Sequence, residues 1–158
     1  MRPEPQLRPM EPRDVPVVAT LEALVYSHPW SAGNFHDSLA AGHCCTLAEV
    51  GGALAGYGVL MRGVDEAQLL NISVAPALRR KGVGQRLWEH FLNQAKAMGA
   101  LQLSLEVRVS NVGALAFYAR LGCRPVGRRR GYYPQEGGRE DALLLALELS
   151  PTLNAVHS

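Results

Sequence analysis

The sequence predicts an α/β fold, a mixed central sheet of about seven strands with flanking helices. Three observations carry that reading. Leu101, Leu103, Leu105, Val107 and Val109 alternate with Gln102, Ser104, Glu106 and Arg108, the period-two signature of a strand. Gly84 to Met98 places Leu87, Trp88, Phe91, Leu92 and Ala95 on one helical stripe. Strand-like and helix-like segments also interleave along the chain, in the order β-α-α-β-β-β-α-β-α-β-β.

Taken in order, Gln6 to Met10 reads as a short first strand, and Glu11-Pro12-Arg13-Asp14 as a helix entry, acidic with an early proline. Val17, Val18, Leu21, Leu24 and Val25 follow at helical spacing to about Ser27, where His28-Pro29 breaks the helix. Ser31 caps a second short helix carrying Phe35 and Leu39. Thr46 to Val50, Ala53 to Met61 and Gln68 to Val74 are strands, with Gly51-Gly52 where a tight hairpin turn needs positive φ. Gly99 stops the long helix. Asn111 to Leu121 is a short helix ended by Gly122. Two last strands, Cys123 to Tyr133 and Ala142 to Leu149, flank a loop from Pro134 to Arg139.

The 158 residues are enough for one domain that needs neither disulfides nor metal to be stable, expected over residues 1–150 with a loose C-terminal tail from 151 to 158. Hydrophobic content of 47% and charged content of 19% are those of a globular protein. A net charge of +2 argues against nucleic acid as the main partner. Cys44, Cys45 and Cys123 make no metal-binding spacing and read as small buried hydrophobes. The proline-rich start is unlike a signal peptide, and no stretch reaches the ~20 apolar residues of a membrane span. A cytoplasmic protein without membrane or metal partners is expected.

The most informative segment is Leu70 to Gln85. A strand ends at Val74, Pro76 stops its ladder, and the basic turn Arg79-Arg80-Lys81-Gly82-Val83-Gly84 runs straight into the long helix. Gly82 and Gly84 let backbone N–H groups converge on one point, and the helix N-terminus adds partial positive charge there. Pyrophosphate binding is the implied chemistry. The Walker A motif is absent, and no third glycine completes a dinucleotide fingerprint.

Arg79 to Gly84, after a strand and before an amphipathic helix, resembles the acetyl-CoA signature of the GCN5-related N-acetyltransferases. Ser104 to Asn111 (SLEVRVSN), Ala114 to Gly122 (ALAFYARLG), Gly131 to Ala142 (GYYPQEGGREDA) and His28 to Ser31 (HPWS) resemble the RimI-type branch, which acetylates the N-terminal alanine of a small-subunit ribosomal protein. The resemblance covers about residues 7 to 149. It implies the GNAT fold, acetyl-CoA as co-substrate, and the N-terminus of a ribosomal protein as acceptor. It further implies that Ile72, Ser73 and Val74 offer backbone hydrogen bonds to the pantetheine arm, as strand to strand. Arg80, Lys81, Gly82, Val83, Gly84 and Gln85 would cradle the pyrophosphate, and Asn111 matches a further cofactor contact.

Acyl transfer from a thioester to an amine requires a base for the amine, stabilisation of the carbonyl oxygen and a proton for the thiolate. Glu106 is the base candidate: a carboxylate on a strand expected to be central needs a reason, although a solvated face shared with Ser104 and Arg108, or a pairing with Arg108, is the plain alternative. The resemblance favours the base. Tyr118 reads by spacing as a core aromatic beside Phe117, whereas the resemblance puts it at the cofactor sulfur as proton donor. A backbone N–H near Val74 is the expected oxyanion partner. The resemblance further implies that Trp30 and Ser31, with Tyr132 and Tyr133 opening the loop before the last strand, form the walls of a peptide channel.

Cys123 replaces the aromatic usual after Leu-Gly, and Cys44-Cys45 is unusual before its strand; both leave the inferred mechanism untouched. Alternatives are acetylation of lysine side chains, small amines or a wider set of N-termini, an acyl-CoA-binding sensor on the same fold, and a nucleic-acid module built on the basic clusters.

Overall fold

The computed structural model describes residues 4–149; the tail expected from 151 lies outside them. The elements run β1 (Gln6–Pro9), α1 (Val15–Val25), α2 (Ala32–Ala40), β2 (Cys44–Val50), β3 (Ala53–Arg62), β4 (Glu66–Val74), α3 (Val83–Ala97), β5 (Gln102–Arg108), α4 (Val112–Arg120), β6 (Arg124–Gln135) and β7 (Gly138–Glu148). This is the order read from the sequence. Among the described residues seven strands form one mixed sheet in the order β1-β2-β3-β4-β5-β7-β6, with β4 and β5 parallel and the pairs β1–β2, β2–β3, β5–β7 and β6–β7 antiparallel.

The described residues divide into two compact units: 4–61 with Leu70–Asn93, and Arg62–Leu69 with 94–149. In the first, β1 pairs with β2 from Gln6↔Glu49 to Pro9↔Thr46, and β2 with β3 around Gly51-Gly52, whose φ of 58° and 81° supply the tight turn. Its core gathers Met10, Val15, Val18, Phe35, Cys45, Leu47, Tyr57 and Val59. The stripe on α1 differs from the expected one. Val15, Val18 and Glu22 are its buried residues, while Val17 and Leu24 are 59% and 77% exposed. At ~100° per residue, 15, 18 and 22 share one narrow arc and 17 and 24 lie opposite, so the carboxylate of Glu22 takes a core position.

In the second unit β5 is the spine. Leu103, Leu105 and Val107 are buried and face the register partners Leu147, Leu145 and Leu143 of β7. The parallel β4–β5 register runs from Glu66↔Gln102 to Leu69↔Leu105. The expected loop from Pro134 to Arg139 is instead a tight hairpin: Tyr133↔Glu140, Pro134↔Arg139 and Gln135↔Gly138 are paired. Proline is accommodated because β6 is an edge strand, where a missing N–H on the outer side costs no ladder bond.

Among the described residues no helix is long and apolar enough to cross a membrane, and no group of three or more His, Cys, Asp or Glu could hold a metal ion. Cys45 and Cys123 are buried and unpaired with each other, and burial pushes both thiols up to about 11.

Candidate active site

The end of β4 and the turn after it lie in the first unit. The Ala75 N–H donates to the Ala55 carbonyl at 2.7 Å, holding the strand's end on β3. A 3-10 turn at Pro76–Leu78 then leads to the basic segment. Its bend is made by Arg80 and Gly82, at φ of 62° and 83°, whereas Gly84 is helical. The non-glycine Arg80 takes the left-handed conformation alongside Gly82. The Arg86 N–H donates to the Gly82 carbonyl at 3.0 Å, so Gly82 caps α3. Val83, Gly84 and Gln85 form the first turn, whose N–H groups have no acceptor within a helix. Arg79, Arg80, Lys81 and Gln85 are exposed around it.

Ser73, just before Val74, is nearly buried at 4% exposure. Its hydroxyl donates to Asn71 Oδ1 at 2.8 Å, which leaves the Tyr26 phenol to donate to Ser73 Oγ at 2.8 Å, with the Ile72 carbonyl a second acceptor at 3.3 Å. Asn71 Nδ2 in turn donates to Glu22 Oε1 at 3.1 Å, beside the Tyr57 phenol at 2.7 Å. Glu22 Oε2 accepts from the Trp30 backbone N–H at 2.9 Å. Trp30 thus joins Ile72 and Ser73 in one hydrogen-bonded network. Burial, and then Tyr57's bond to Glu22, raise the Tyr57 phenol well above its ordinary range. The Ser31 hydroxyl is engaged otherwise: it accepts from the Asn34 N–H at 3.1 Å and donates to Asn34 Oδ1 at 3.0 Å, capping α2.

The second unit carries Glu106. Its side chain is 11% exposed on the face of β5 opposite Leu105 and Val107, and its Oε1 lies 3.1 Å from Arg129 Nε. The partner is Arg129, not the Arg108 two residues along; Arg108 instead bonds Glu140 Oε1 at 3.0 Å and the Pro134 carbonyl at 2.9 Å. Each arginine also covers an aromatic ring, Arg129 that of Tyr132 at 5.2 Å and Arg108 that of Tyr133 at 4.5 Å. The two rings meet edge to face at 5.0 Å. Tyr132 and Tyr133 lie on β6, within the strand expected from Cys123 to Tyr133. The β6–β7 register slips between Arg129 and Tyr133, and side chains replace the lost ladder bonds there. Asp141 Oδ1 accepts from the Gly131 N–H at 2.8 Å, and Arg139 Nε donates to the Gly131 carbonyl at 2.5 Å. Burial, with the Glu106 charge adding to it, raises Tyr132 and pushes Tyr133 up to about 12. Glu140, 9% exposed, is held low by its bonds to Ser110 and Arg108.

Tyr118 is buried on α4 at 6% exposure, its ring 5.2 Å from that of Phe117. Asn111 Oδ1 caps the same helix, accepting from the Ala114 N–H at 3.1 Å. The second unit thus brings Glu106, Tyr132 and Tyr133 into one cluster. Sequence reasoning missed Arg129, one of three consecutive arginines with nothing to single it out. It also missed Glu22, whose signal was a carboxylate four residues after Val18 on an apolar face.

The sequence profile of the acetyltransferase (GNAT) family matches residues 13–123. The chain is 36% identical over 141 residues to the [ribosomal protein bS18]-alanine N-acetyltransferase of Escherichia coli strain K12, covering 89% of this chain and 95% of that one. It is 34% identical over 147 residues to a putative [ribosomal protein bS18]-alanine N-acetyltransferase of Bacillus subtilis strain 168, covering 92% and 96%. The crystal structure of the ribosomal-protein-S18-alanine N-acetyltransferase from E. coli superposes with a TM-score of 0.86 at 34% identity, over 93% of this chain and 95% of that one. The Ard1 structure from Thermoplasma volcanium shares the fold, with a TM-score of 0.84 at 23% identity over 92% and 98%. On the profile match and these extended identities, the chain belongs to the acetyltransferase (GNAT) family.

Proposed function

We propose that this chain is a cytoplasmic N-terminal acetyltransferase that moves the acetyl group of acetyl-CoA onto the N-terminal alanine of ribosomal protein bS18, with residues 1–150 acting as one domain. The observation that carries the reading is the 36% identity, across most of both chains, to the E. coli enzyme with that activity. Acetyl-CoA supplies an activated thioester. The left-handed turn at Arg80 and Gly82, opening into the first turn of α3 and ringed by arginine and lysine, suits a pyrophosphate.

In this reading Arg80, Lys81, Gly82, Val83, Gly84 and Gln85 hold the pyrophosphate. Ile72, Ser73 and Val74 bond the pantetheine arm along the strand, and Asn111 adds a contact. An α-amine with a pKa near ~8 is largely protonated at neutral pH, so Glu106 accepts its proton, directly or through one water. The burial of the Glu106 side chain supports that role over a merely solvated face. A backbone N–H near Val74 meets the charge developing on the carbonyl oxygen, and Tyr118 protonates the departing thiolate. Trp30, Ser31, Tyr132 and Tyr133 flank the acceptor peptide.

The test is acetyl transfer to short peptides, read by mass spectrometry. The panel copies the bS18 N-terminus, varies its first residue among Ala, Ser, Met and Gly, and includes a blocked peptide with an internal lysine. Modification of free N-termini, strongest for alanine, is expected. Modification of the lysine in the blocked peptide, or of no peptide at all, would overturn the reading.

A further inference from the structure

Glu22 takes no part in the chemistry above, yet it is only 2% exposed and sits at the junction of two groups of residues with different tasks. A carboxylate removed from water is costly unless its lone pairs are met. Here three neutral donors meet them, and the two oxygens divide the work. Oε1 takes the Tyr57 phenol at 2.7 Å and Asn71 Nδ2 at 3.1 Å. Oε2 takes the Trp30 backbone N–H at 2.9 Å, just past the break at His28-Pro29. Asn71 continues through Ser73 to Tyr26, which also bonds the Ile72 carbonyl. One rigid side chain therefore ties the loop bearing Trp30 to the part of β4 bearing Ile72 and Ser73.

We infer that Glu22 is a positioning residue that couples the acceptor peptide to acetyl-CoA, each ligand tightening the other's binding through this two-armed carboxylate. The inference rests on the reading that Ile72–Val74 bind the cofactor and that Trp30 lines the acceptor site. A ligand bonded along Ile72–Val74 fixes Asn71 and Ser73, which fix Oε1; the rigid carboxylate then carries Oε2 and the Trp30 backbone with it. By linkage the effect is reciprocal. Glutamine keeps the volume of Glu22 but has one acceptor oxygen, so its amide N–H₂ must oppose a donor on one of the two arms.

The experiment is a binding cycle by calorimetry on the whole chain. Coenzyme A serves as the unreactive probe, and the acceptor is whichever peptide the panel shows to be acetylated. Peptide Kd is measured with and without coenzyme A. In the wild type, coenzyme A is expected to tighten the peptide at least about fivefold, the lower end of common couplings. Glu22→Gln is expected to bring that ratio close to one, with the coenzyme A affinity alone changed less than about threefold on this account. Asn71→Leu, which cuts the strand-side arm elsewhere, is expected to do the same if Glu22→Gln fails to fold. Val59→Ala truncates a fully buried core side chain outside this network; it lowers Tm but keeps the ratio, separating coupling from core stability. A wild-type ratio of one, or an unchanged ratio in a folded Glu22→Gln or Asn71→Leu protein, overturns the inference while leaving acetyl transfer intact. Failure of every peptide to be acetylated removes the functional reading, and this inference with it.

Discussion

Gly56 on β3 lies where added volume has no outlet. A Cβ built there falls 2.6 Å from the Ser73 carbonyl oxygen, 3.1 Å from Leu87 and 3.2 Å from Val83. A carbon–oxygen contact settles at ~3.3 Å or more, so β3 and β4 must part by roughly 0.7 Å. Val83 and Leu87 are 1% and 0% exposed and cannot yield easily. Overpacking of this kind costs about 1–3 kcal/mol, and replacing a strand glycine returns about 0.5–1 kcal/mol. A net loss centred on about 1 kcal/mol follows, which for a chain of this size lowers Tm by roughly 2–4 °C. The displaced atoms belong to Ser73 and to the first residue of α3, both proposed to hold acetyl-CoA. A displacement approaching 1 Å at a positioning group costs up to ~10²-fold, so kcat/KM for acetyl-CoA is expected to fall by more than the small loss of stability explains. Calorimetric melting and initial rates over a range of acetyl-CoA concentrations measure both. Gly113→Ala is the comparison, since its new Cβ meets nothing within 4 Å and a helical alanine is favoured. Gly56→Ala with unchanged Tm and unchanged acetyl-CoA dependence would refute the packing argument.

Glu106→Gln and Tyr118→Phe are each expected to lower kcat by ~10²–10⁴-fold with acetyl-CoA affinity retained; near-normal turnover in either removes that residue from the proposed chemistry. Replacing Arg80 and Lys81 by alanine is expected to weaken acetyl-CoA binding by ~10-fold or more, since a charge-assisted hydrogen bond contributes about 1.5–3 kcal/mol. The remaining affinity should depend less on salt, and an unaltered Kd would place the pyrophosphate elsewhere. Asp14 accepts a pair of bonds from Arg8 at 2.8 and 2.9 Å, and Arg8 holds its carboxyl below the ordinary range. With the folded value depressed, this contribution is present above the unfolded value of ~3.9 and is lost as pH falls through the folded one. Arg8→Met is therefore expected to lower Tm slightly at neutral pH and to flatten the acid side of the Tm–pH curve. An acid slope equal to that of the wild type would contradict this.

The order of elements and the position of the turn at Arg79–Gly84 were legible in residue types and their spacing. Both follow from local physics: a period of two on β5, a helical period on α3, and turn residues where the backbone must reverse. Tertiary structure decided which face each helix buried. On α1 several apolar residues were available to either side, and only the partner surface selects Val15, Val18 and Glu22 over Val17 and Leu24. It also decided the partner of Glu106. Arg108 is near in sequence, but the slipped register of β6 brings Arg129 across instead, and Glu140 takes Arg108. The network through Glu22, Asn71 and Ser73 spans about fifty residues of sequence and has no local signature. Residue types and spacing report what a segment can do alone; which donor meets which carboxylate depends on strand register and packing, which exist only once the chain has folded.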